Sequence, residues 1–334
     1  MKFNVVIGNP PYQEEDSNNK NSLSPIYQNF IEKALSINSD NTIFIVPSRW
    51  MQGGKNLDTF RYRMINETIP KVIIDYKDSK SAFPSVDIDN GICILMHADK
   101  NNKLTNYIYI DADNQQYNKL RNLSEENSDF IIRDIRQLNI IEKIKQSGDL
   151  TFDIIVSTRS PYGIMTDLFN DTEKYKHCDL QKNLKDTYIK IYGVEGFKGG
   201  AVRTEGYIKP SSITKGFELL NKYNIFFSVA YRSTALNPPQ RILSNKNEIC
   251  TETFLNIGPF NTKEEQLNCE EYIKTKFFRA LLYFHRFQKN TTHKTFEFIP
   301  LVSFDRTWTD EELYKRYNLN NDEIQYIENL FKKG

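Results

Sequence analysis

The sequence Asn-Pro-Pro-Tyr combines hydrogen-bond acceptors with an aromatic ring and directly follows the apolar run Phe3–Ile7. The side-chain oxygen of Asn9 and the backbone carbonyl of Pro10 can accept the two protons of a planar amine, which localises the lone pair of its nitrogen. Pro10 and Pro11 fix φ and keep that carbonyl aimed. Tyr12 offers a flat face on which a nucleobase can stack. The tetrapeptide therefore predicts a site that prepares an aromatic amine for attack on an electrophile.

A stiff turn after a strand is the simpler interpretation of the same four residues, because Asn and Pro are common turn residues. The functional interpretation is favoured because a turn needs neither an apolar strand before it nor an aromatic fourth residue. Ligand sites of open α/β sheets also lie at the carboxyl ends of strands. Up to about residue 110, apolar runs alternate with helical patterns and predict a parallel α/β sheet with strands buried on both faces. The predicted strands are Phe3–Ile7, Thr42–Val46, Lys71–Tyr76 and Gly91–His97.

Two helices are predicted between these strands from apolar residues at helical spacing. Ser24 is expected to cap the first, with Pro25 at its first position, and the second is expected from Asn56 to Asn66. The polar, Asn-rich segment Gln13–Ser22 is predicted to be a flexible loop that overhangs the tetrapeptide.

The composition of the sequence changes after Asp111, where a polar, turn-rich segment precedes a predicted helix at Gln137–Gln146. The region that follows is rich in β-branched and aromatic residues and predicts a mixed or mainly β module, with candidate strands at Thr151–Val156, Thr187–Tyr192 and Ile225–Ala230. Capping boxes begin at Thr262 and Thr309. They predict a helical carboxyl-terminal part, with helices at Glu264–Gln288, Asp310–Tyr317 and Asp322–Lys332.

Composition excludes several function classes. The 44 Lys and Arg against 43 Asp and Glu leave a net charge of +1, so any nucleic-acid surface must be a local patch. Four widely separated cysteines without a C-x-x-C pair predict a reduced, cytoplasmic protein with no metal site. No apolar run is long enough for a membrane span, so no membrane partner is expected. Asp75 and Lys77 lack the additional carboxylates of a metal-dependent nuclease.

Beyond the tetrapeptide, successive segments of the chain resemble the motifs of a known family. The segments are Pro25–Ala34, Ile45–Trp50, Ala82–Pro84 and Gly91–Leu95. In this order they are similar to those of the gamma-class adenine-specific DNA methyltransferases, particularly the type IIG restriction-modification methylases, and the resemblance extends over nearly the whole chain.

The resemblance implies roles for particular residues of the amino-terminal region. Asn9, Pro10, Pro11 and Tyr12 would form the catalytic clamp around a flipped adenine, with Phe83 on the other face of the base. Tyr27 and Phe30 would contact the methyl donor S-adenosylmethionine, although both are equally expected as core residues of an apolar helix face. Arg49 and Trp50 would reach DNA or merely close the sheet.

The downstream region resembles the target-recognition domain of the family and implies double-stranded DNA as partner. The resemblance rests on Ser157–Gly163, Cys250–Thr253, Gly258–Phe260 and Tyr272–Arg279. Candidate DNA contacts share a place in Gly- or Pro-adjacent, turn-like segments, where loops held by a scaffold can reach phosphates or base edges. They are Arg159, Lys198, Arg203, Arg232 and Arg241. Each can equally be an ordinary solvated charge.

These inferences predict a partial Rossmann-like α/β methyltransferase sheet over residues 1–112 and a linker with a helix over 113–148. A mixed α+β target-recognition domain is predicted over 149–300 and carboxyl-terminal helices over 301–334. In the family, the loop that binds S-adenosylmethionine precedes the tetrapeptide. The chain is therefore expected to be a carboxyl-terminal portion whose cofactor pocket is completed by a separate chain or by a missing segment. Two alternatives are a catalytically inactive DNA-recognition module and, more weakly, a protein-glutamine methyltransferase.

Overall fold

The computed structural model describes residues 3–16, 19–37, 39–52, 54–98, 103–123, 130–196, 200–230, 235–285 and 290–332. The chain divides into two compact units, residues 1–139 and 140–334. Each unit contains a hydrophobic core cluster of its own. Among the helices of the described ranges, none combines the length and the apolar composition needed to cross a membrane.

The first unit is an α/β structure built on a six-stranded sheet with the strand order β1-β4-β6-β5-β7-β8. Its elements in chain order are β1 (Val5–Gly8), β2 (Gln13–Asp16), β3 (Asn19–Pro25), α1 (Tyr27–Ser36), β4 (Asn41–Pro47), α2 (Asp58–Asn66), β5 (Val72–Tyr76), β6 (Ile92–His97), β7 (Thr105–Ile110), β8 (Gln116–Arg121) and α3 (Ile135–Gln146). Helix α3 begins in this unit and continues into the second.

The sheet is mixed, so the expectation of a parallel sheet was wrong for part of it. β1 pairs with β4 and β5 pairs with β7 in parallel, whereas β6 runs antiparallel to both of its neighbours, β4 and β5. The reason lies in the connection of residues 77–91, which contains only a short 3-10 turn at Ser79–Ser81. A parallel neighbour needs a crossover, usually a helix, and this connection lacks one. The strands β4 and β5 alternate between buried and half-buried residues instead of being buried throughout.

Three further expectations for the first unit need correction. Gln13–Ser22 is not a plain loop, because β2 and β3 pair as an antiparallel hairpin. Ser24 does not cap α1, since Pro25 is still paired with Gln13 in that hairpin and α1 begins at Tyr27 without a side-chain cap. The segment 113–148 is more than a linker and a helix, because β8 pairs with β7 in the sheet.

The second unit is a mixed α+β structure with two three-stranded sheets, ordered β10-β9-β13 and β12-β11-β14. Its elements are β9 (Ile189–Glu195), β10 (Val202–Ile208), β11 (Tyr223–Ser228), β12 (Ile242–Leu243), β13 (Glu248–Cys250), β14 (Phe254–Phe260), α4 (Lys263–Lys274), α5 (Lys276–His285), α6 (Asp310–Arg316) and α7 (Asn321–Leu330). The finer division into four segments stays a prediction.

Local sequence signals explain where several elements of the second unit begin and end. The capping boxes predicted at Thr262 and Thr309 are confirmed as the starts of α4 and α6. The single helix expected over 264–288 was wrong, because Thr275 separates α4 from α5 and its hydroxyl accepts a hydrogen bond from the Phe278 amide. The strand expected at Thr151–Val156 is a 3-10 helix, Phe152–Ile155, whose Phe152 ring is fully buried.

Candidate functional site

The tetrapeptide Asn9–Tyr12 leaves the sheet at the carboxyl end of β1. The Pro10 side chain is buried, Asn9 and Pro11 are exposed and Tyr12 is half-buried. The backbone oxygen of Tyr12 accepts a hydrogen bond from the amide of Ile26 at 3.2 Å, one residue before α1 begins. The tetrapeptide is therefore held between a strand end and a helix start, as expected for a ligand site of an α/β sheet.

All four residues of the tetrapeptide line one cavity of about 330 Å³. The other lining residues, Phe83, Val86 and Ile88, come from the connection between β5 and β6. The structure thus brings Phe83 to the same cavity as Tyr12, as the resemblance implied. Sequence reasoning missed Val86 and Ile88, although apolar residues recurring in an otherwise polar connection are a readable signal.

The environment of Tyr12 keeps its ring neutral. Burial, and to a lesser degree the nearby Cys93, raises the pKa of the Tyr12 phenol, while a hydrogen bond with the Asn9 side chain offsets part of the change. The phenol is therefore protonated at neutral pH, and the Asn9 side chain lies beside it. The cavity offers an uncharged aromatic face and an amide group within reach of each other, which suits a flat ring that carries hydrogen-bond donors.

A second cavity, of about 420 Å³, shares Tyr12 and Ile88 with the first. Its wall includes Tyr27, Arg49, Asp87 and Asp89, and therefore groups of both charges. Nε of Arg49 is buried and has no hydrogen-bond partner among the described residues. Tyr12 thus forms part of the wall of two adjoining spaces, one bounded by the tetrapeptide and one with charged groups.

A family model for the Eco57I restriction-modification methylase matches residues 1–83, which include the tetrapeptide and Phe83. Residues 1–83 are thus similar in sequence to the Eco57I restriction-modification methylases. An uncharacterized adenine-specific methylase of Mycoplasma pneumoniae is 35% identical over 99 residues, which are 29% of this chain and 24% of that protein.

Two solved structures resemble the whole chain at low sequence identity. The type IIG restriction endonuclease BpuSI is 12% identical with a TM-score of 0.41, over 97% of this chain and 49% of that one. The type IIL restriction-modification enzyme MmeI, solved in complex with DNA, is 9% identical with a TM-score of 0.37, over 98% of this chain and 53% of that one. The chain thus spans about half the length of these two relatives.

Tyr27 and Phe30, the two residues predicted to contact S-adenosylmethionine, have different surroundings. Tyr27 is almost fully buried, packs edge-on against Phe60 with ring centres 6.3 Å apart, and still contributes to the second cavity. Burial and the nearby Cys93 raise the pKa of its phenol. Phe30 is 45% exposed and contributes to neither cavity. The structure therefore does not bring Tyr27 and Phe30 to a common site.

The prediction that Trp50 contacts DNA was wrong. Its side chain is fully buried in the core of the first unit. Its Nε1 donates to Cys93 Sγ at 3.4 Å, and its ring packs edge-on against Phe60 with ring centres 5.7 Å apart. The preceding residue, Arg49, faces the second cavity instead. Neighbouring positions of a 3-10 turn point in different directions, so one residue of the pair enters the core and the other does not.

The other arginines predicted to contact DNA lie in the second unit. Arg241 was predicted wrongly as an available cation, because Nε and Nη2 donate to both carboxylate oxygens of Glu270 at 2.6 and 2.7 Å and both side chains are buried. Arg159 is exposed, with Nε 3.2 Å from Glu252. Arg203 is exposed and donates to the Gln240 carbonyl. Two further candidates, Lys198 and Arg232, lie outside the described residues.

Among the described residues, no group of three or more His, Cys, Asp or Glu side chains is placed to hold a metal ion. All four cysteines are buried free thiols. For Cys93, burial first and then the nearby Asp75 raises the pKa to about 12, so this thiol is uncharged beside Trp50.

Proposed function

We propose that the first unit forms the base-holding part of an adenine-specific DNA methyltransferase of a restriction-modification system, which transfers a methyl group from S-adenosylmethionine to N6 of an adenine flipped out of duplex DNA. One observation carries the proposal. Residues from two distant parts of the sequence, Asn9–Tyr12 and Phe83, line one cavity at a strand end. The methylase family match over residues 1–83 supports the same chemistry.

The exocyclic amine of adenine is a poor nucleophile because its lone pair is delocalised into the ring. In the proposed complex, the side-chain oxygen of Asn9 and the carbonyl of Pro10 accept the two amine protons, which moves the nitrogen toward tetrahedral geometry. Tyr12 and Phe83 stack on the two faces of the base. Such stacking is worth roughly 1–3 kcal/mol per base and is comparable to the few kcal/mol needed to unstack an adenine.

The second cavity fits one part of S-adenosylmethionine. A methionine-like end carries both an ammonium and a carboxylate group, and this cavity presents Asp87 and Asp89 together with the unpartnered Nε of Arg49. Tyr27 would close its wall, while the proposed contact with Phe30 would need a different surface. When bound, S-adenosylmethionine supplies an electrophilic methyl group, and the residues of this chain bind and orient the two reactants.

We further propose that another polypeptide segment, in a separate chain or elsewhere, completes the cofactor site along β1. In the described sheet β1 is an edge strand that pairs only with β4. The side chains of Phe3, Val5 and Ile7 are 45, 50 and 73% exposed. An edge strand with exposed apolar side chains is a template for strand addition, which native proteins normally cover or protect with charge.

Duplex DNA is the proposed macromolecular partner, with the second unit as recognition module. Arg159 and Arg203 are exposed there and can reach phosphates or base edges. Arg49, Lys198 and Arg232 remain proposed contacts. Since the net charge of the chain is only +1, binding must depend on such local groups and should weaken as salt rises.

The function is tested by transfer of a tritiated methyl group from S-adenosylmethionine to adenine-containing duplex DNA, with the chain alone and with a family polypeptide that carries the cofactor-binding half. We expect Asn9→Ala to reduce transfer about 100- to 1,000-fold, the usual effect of removing one preorganised hydrogen-bonding group, with DNA affinity nearly unchanged. Asn4→Ala, an exposed residue before β1, is the matched control.

The other outcomes of the same assay separate the alternatives. DNA binding without any transfer under both conditions would identify a catalytically inactive recognition module. Transfer to a protein substrate without DNA binding would identify the glutamine methyltransferase, and either result would contradict the proposal.

A further inference from the structure

The first unit contains a buried ion pair between Asp75 and Arg133. Asp75 of β5 is fully buried and accepts hydrogen bonds from the Ser48 hydroxyl and the Tyr107 hydroxyl, each at 2.7 Å. Nε and Nη2 of Arg133 donate to its two carboxylate oxygens at 2.7 and 2.6 Å. A buried ion pair is tolerated when additional hydrogen bonds satisfy the remaining lone pairs, as they do for this carboxylate.

Arg133 makes further contacts that the ion pair does not require. Its Nη1 donates to the backbone oxygen of Asn90 at 2.6 Å, and Nη2 lies 3.4 Å from the backbone oxygen of Tyr76. Tyr76 ends β5, and Asn90 lies just before β6 begins. One planar guanidinium therefore joins both ends of residues 77–91, here named the Phe83 loop. A lysine ammonium is a point charge and could not reproduce this fork.

The Phe83 loop is braced internally as well. The buried Ser79 hydroxyl donates to the Val86 carbonyl at 2.8 Å and accepts from the Ile88 amide at 2.9 Å. At its end, Gly91 has φ +72°, and an added Cβ would lie 2.0 Å from the Tyr76 oxygen. Only glycine fits this closure. These contacts restrict the loop internally. Arg133 is one of its attachments to the sheet, together with the backbone hydrogen bonds from Lys77 to Ile110 and from Ser48 to Gly91.

The same loop forms one wall of both cavities. Phe83, Val86 and Ile88 line the cavity of the tetrapeptide, and Asp87, Ile88 and Asp89 line the second. Arg133 belongs to the wall of neither. A change in the contacts of Arg133 with the Tyr76 and Asn90 backbone oxygens would nevertheless move Phe83 relative to Tyr12, because hydrogen bonds restrict the loop between its ends.

We propose that Arg133 is a positioning residue for base binding, which acts by holding the Phe83 loop at the distance from Tyr12 that a stacked purine requires. This inference rests on the proposed function of the cavity. Arg133 touches no substrate atom. Its effect passes through the backbone oxygens of Tyr76 and Asn90 to the Phe83 ring.

The test uses the fluorescent base analogue 2-aminopurine deoxyriboside, whose emission is quenched by stacking, titrated with the 334-residue chain. We expect Phe83→Ala to weaken binding at least about fivefold, as loss of one stacking partner does. Arg133→Lys keeps the charge beside Asp75 but loses the fork, and it should weaken binding by about the same factor or less. In the double variant, Arg133→Lys should have no further effect, because the ring through which it acts is already gone.

Arg136→Lys is the matched control, since Arg136 is likewise a part-buried arginine and is paired with Asp111 and Asp134 at 3.1 and 2.8 Å instead of with Asp75. It should leave probe binding unchanged. Should Arg133→Lys fail to fold, Ser79→Ala replaces it, because it removes the internal brace and keeps the ion pair. The same lack of additivity with Phe83→Ala is expected of it.

Additive losses in the double variant would overturn the role of Arg133, because they would mean a general effect on the unit. A wild-type chain that does not quench the probe would instead overturn the proposed function of the cavity. Hydrogen exchange separates the two cases further, since Arg133→Lys should speed exchange in residues 77–91 without speeding it in α1. Equal acceleration in both would also contradict the positioning role.

Discussion

The predicted site residues of the two units have contrasting environments. In the first unit, Asn9, Tyr12 and Phe83 line one cavity. In the second unit, the Arg241 side chain forms an ion pair with Glu270 and has little exposed surface, whereas the Arg159 side chain is exposed. Asn9 and Tyr12 belong to a motif with its own stiff backbone, two prolines at a strand end, and Phe83 joins them from the connection between β5 and β6. The arginines were chosen singly, from neighbouring Gly or Pro residues.

The contrast teaches which sequence signals carry spatial information. Pro10 and Pro11 fix two φ angles of the tetrapeptide, so its backbone conformation depends mainly on its own sequence. An arginine near a turn is equally compatible with an exposed contact and with a buried ion pair, because a distant carboxylate decides between them. The predictions below test whether the assignment of each residue to core, ion pair or surface is correct.

Trp50→Ala should have the largest effect on stability. Trp50 is fully buried against Phe60 and Cys93, and truncation of such a side chain costs about 3–5 kcal/mol of unfolding free energy. Urea denaturation followed by circular dichroism measures it. Trp308→Ala is the control, because Trp308 is half-buried and packs against Arg306 near the surface. A Trp50→Ala variant that is as stable as wild type but binds DNA more weakly would contradict the core assignment and support a DNA contact.

Glu270→Gln should destabilise the second unit by about 3 kcal/mol, since it leaves the Arg241 guanidinium buried without a counter-charge. Denaturant unfolding measures the loss. Glu271→Gln is the matched control, because Glu271 is half-exposed in an ion pair with Lys274, and it should change stability by under about 1 kcal/mol. If Glu270→Gln were neutral for stability but altered DNA affinity, Arg241 would belong to the DNA surface after all.

His97 gives the first unit an acid sensitivity of its own. The ring is buried, and this burial lowers its pKa from 6.5 to about 4, although a hydrogen bond with the backbone of Thr68 acts more weakly in the opposite direction. Between these values the unfolded chain binds the extra proton, so the free energy of unfolding falls as pH drops from 6.5 to 4, by about 3 kcal/mol.

Urea denaturation of wild type and His97→Gln at pH 7 and pH 4 tests this expectation. The variant should lose this part of the pH dependence, whereas His177→Gln, which removes an exposed histidine of the second unit, should keep it. Identical pH dependence in wild type and His97→Gln would show that the ring is accessible in the folded chain.

Sequence reasoning succeeded where the signal was local. The capping boxes at Thr262 and Thr309 involve residues three positions apart, and both form as expected. The strand before the tetrapeptide was found from its apolar run. Each of these features is stabilised mainly by its immediate neighbours.

The errors arise where distant residues decide. The direction of β6 depends on the absence of a helix in the Phe83 loop, and not on the composition of the strand. Trp50 is a core residue because Cys93, 43 positions away, and Phe60 enclose it. Arg241 is buried because Glu270, 29 positions away, supplies a bidentate partner. Neither pairing leaves a pattern in the sequence around the residue concerned.

Arg159→Ala should have the smallest effect, and it tests the exposed side of the comparison. The Arg159 side chain is 68% exposed and forms an ion pair with Glu252. If it contacts one phosphate, its loss should reduce the slope of log affinity against log salt by about 0.9. Fluorescence anisotropy with labelled duplex DNA at several salt concentrations measures the slope. Arg306→Ala, another exposed arginine paired with a glutamate, should leave the slope unchanged. Equal slopes for Arg159→Ala and wild type would show that exposure next to a turn does not by itself identify a DNA contact, and the second unit would then need a different recognition surface.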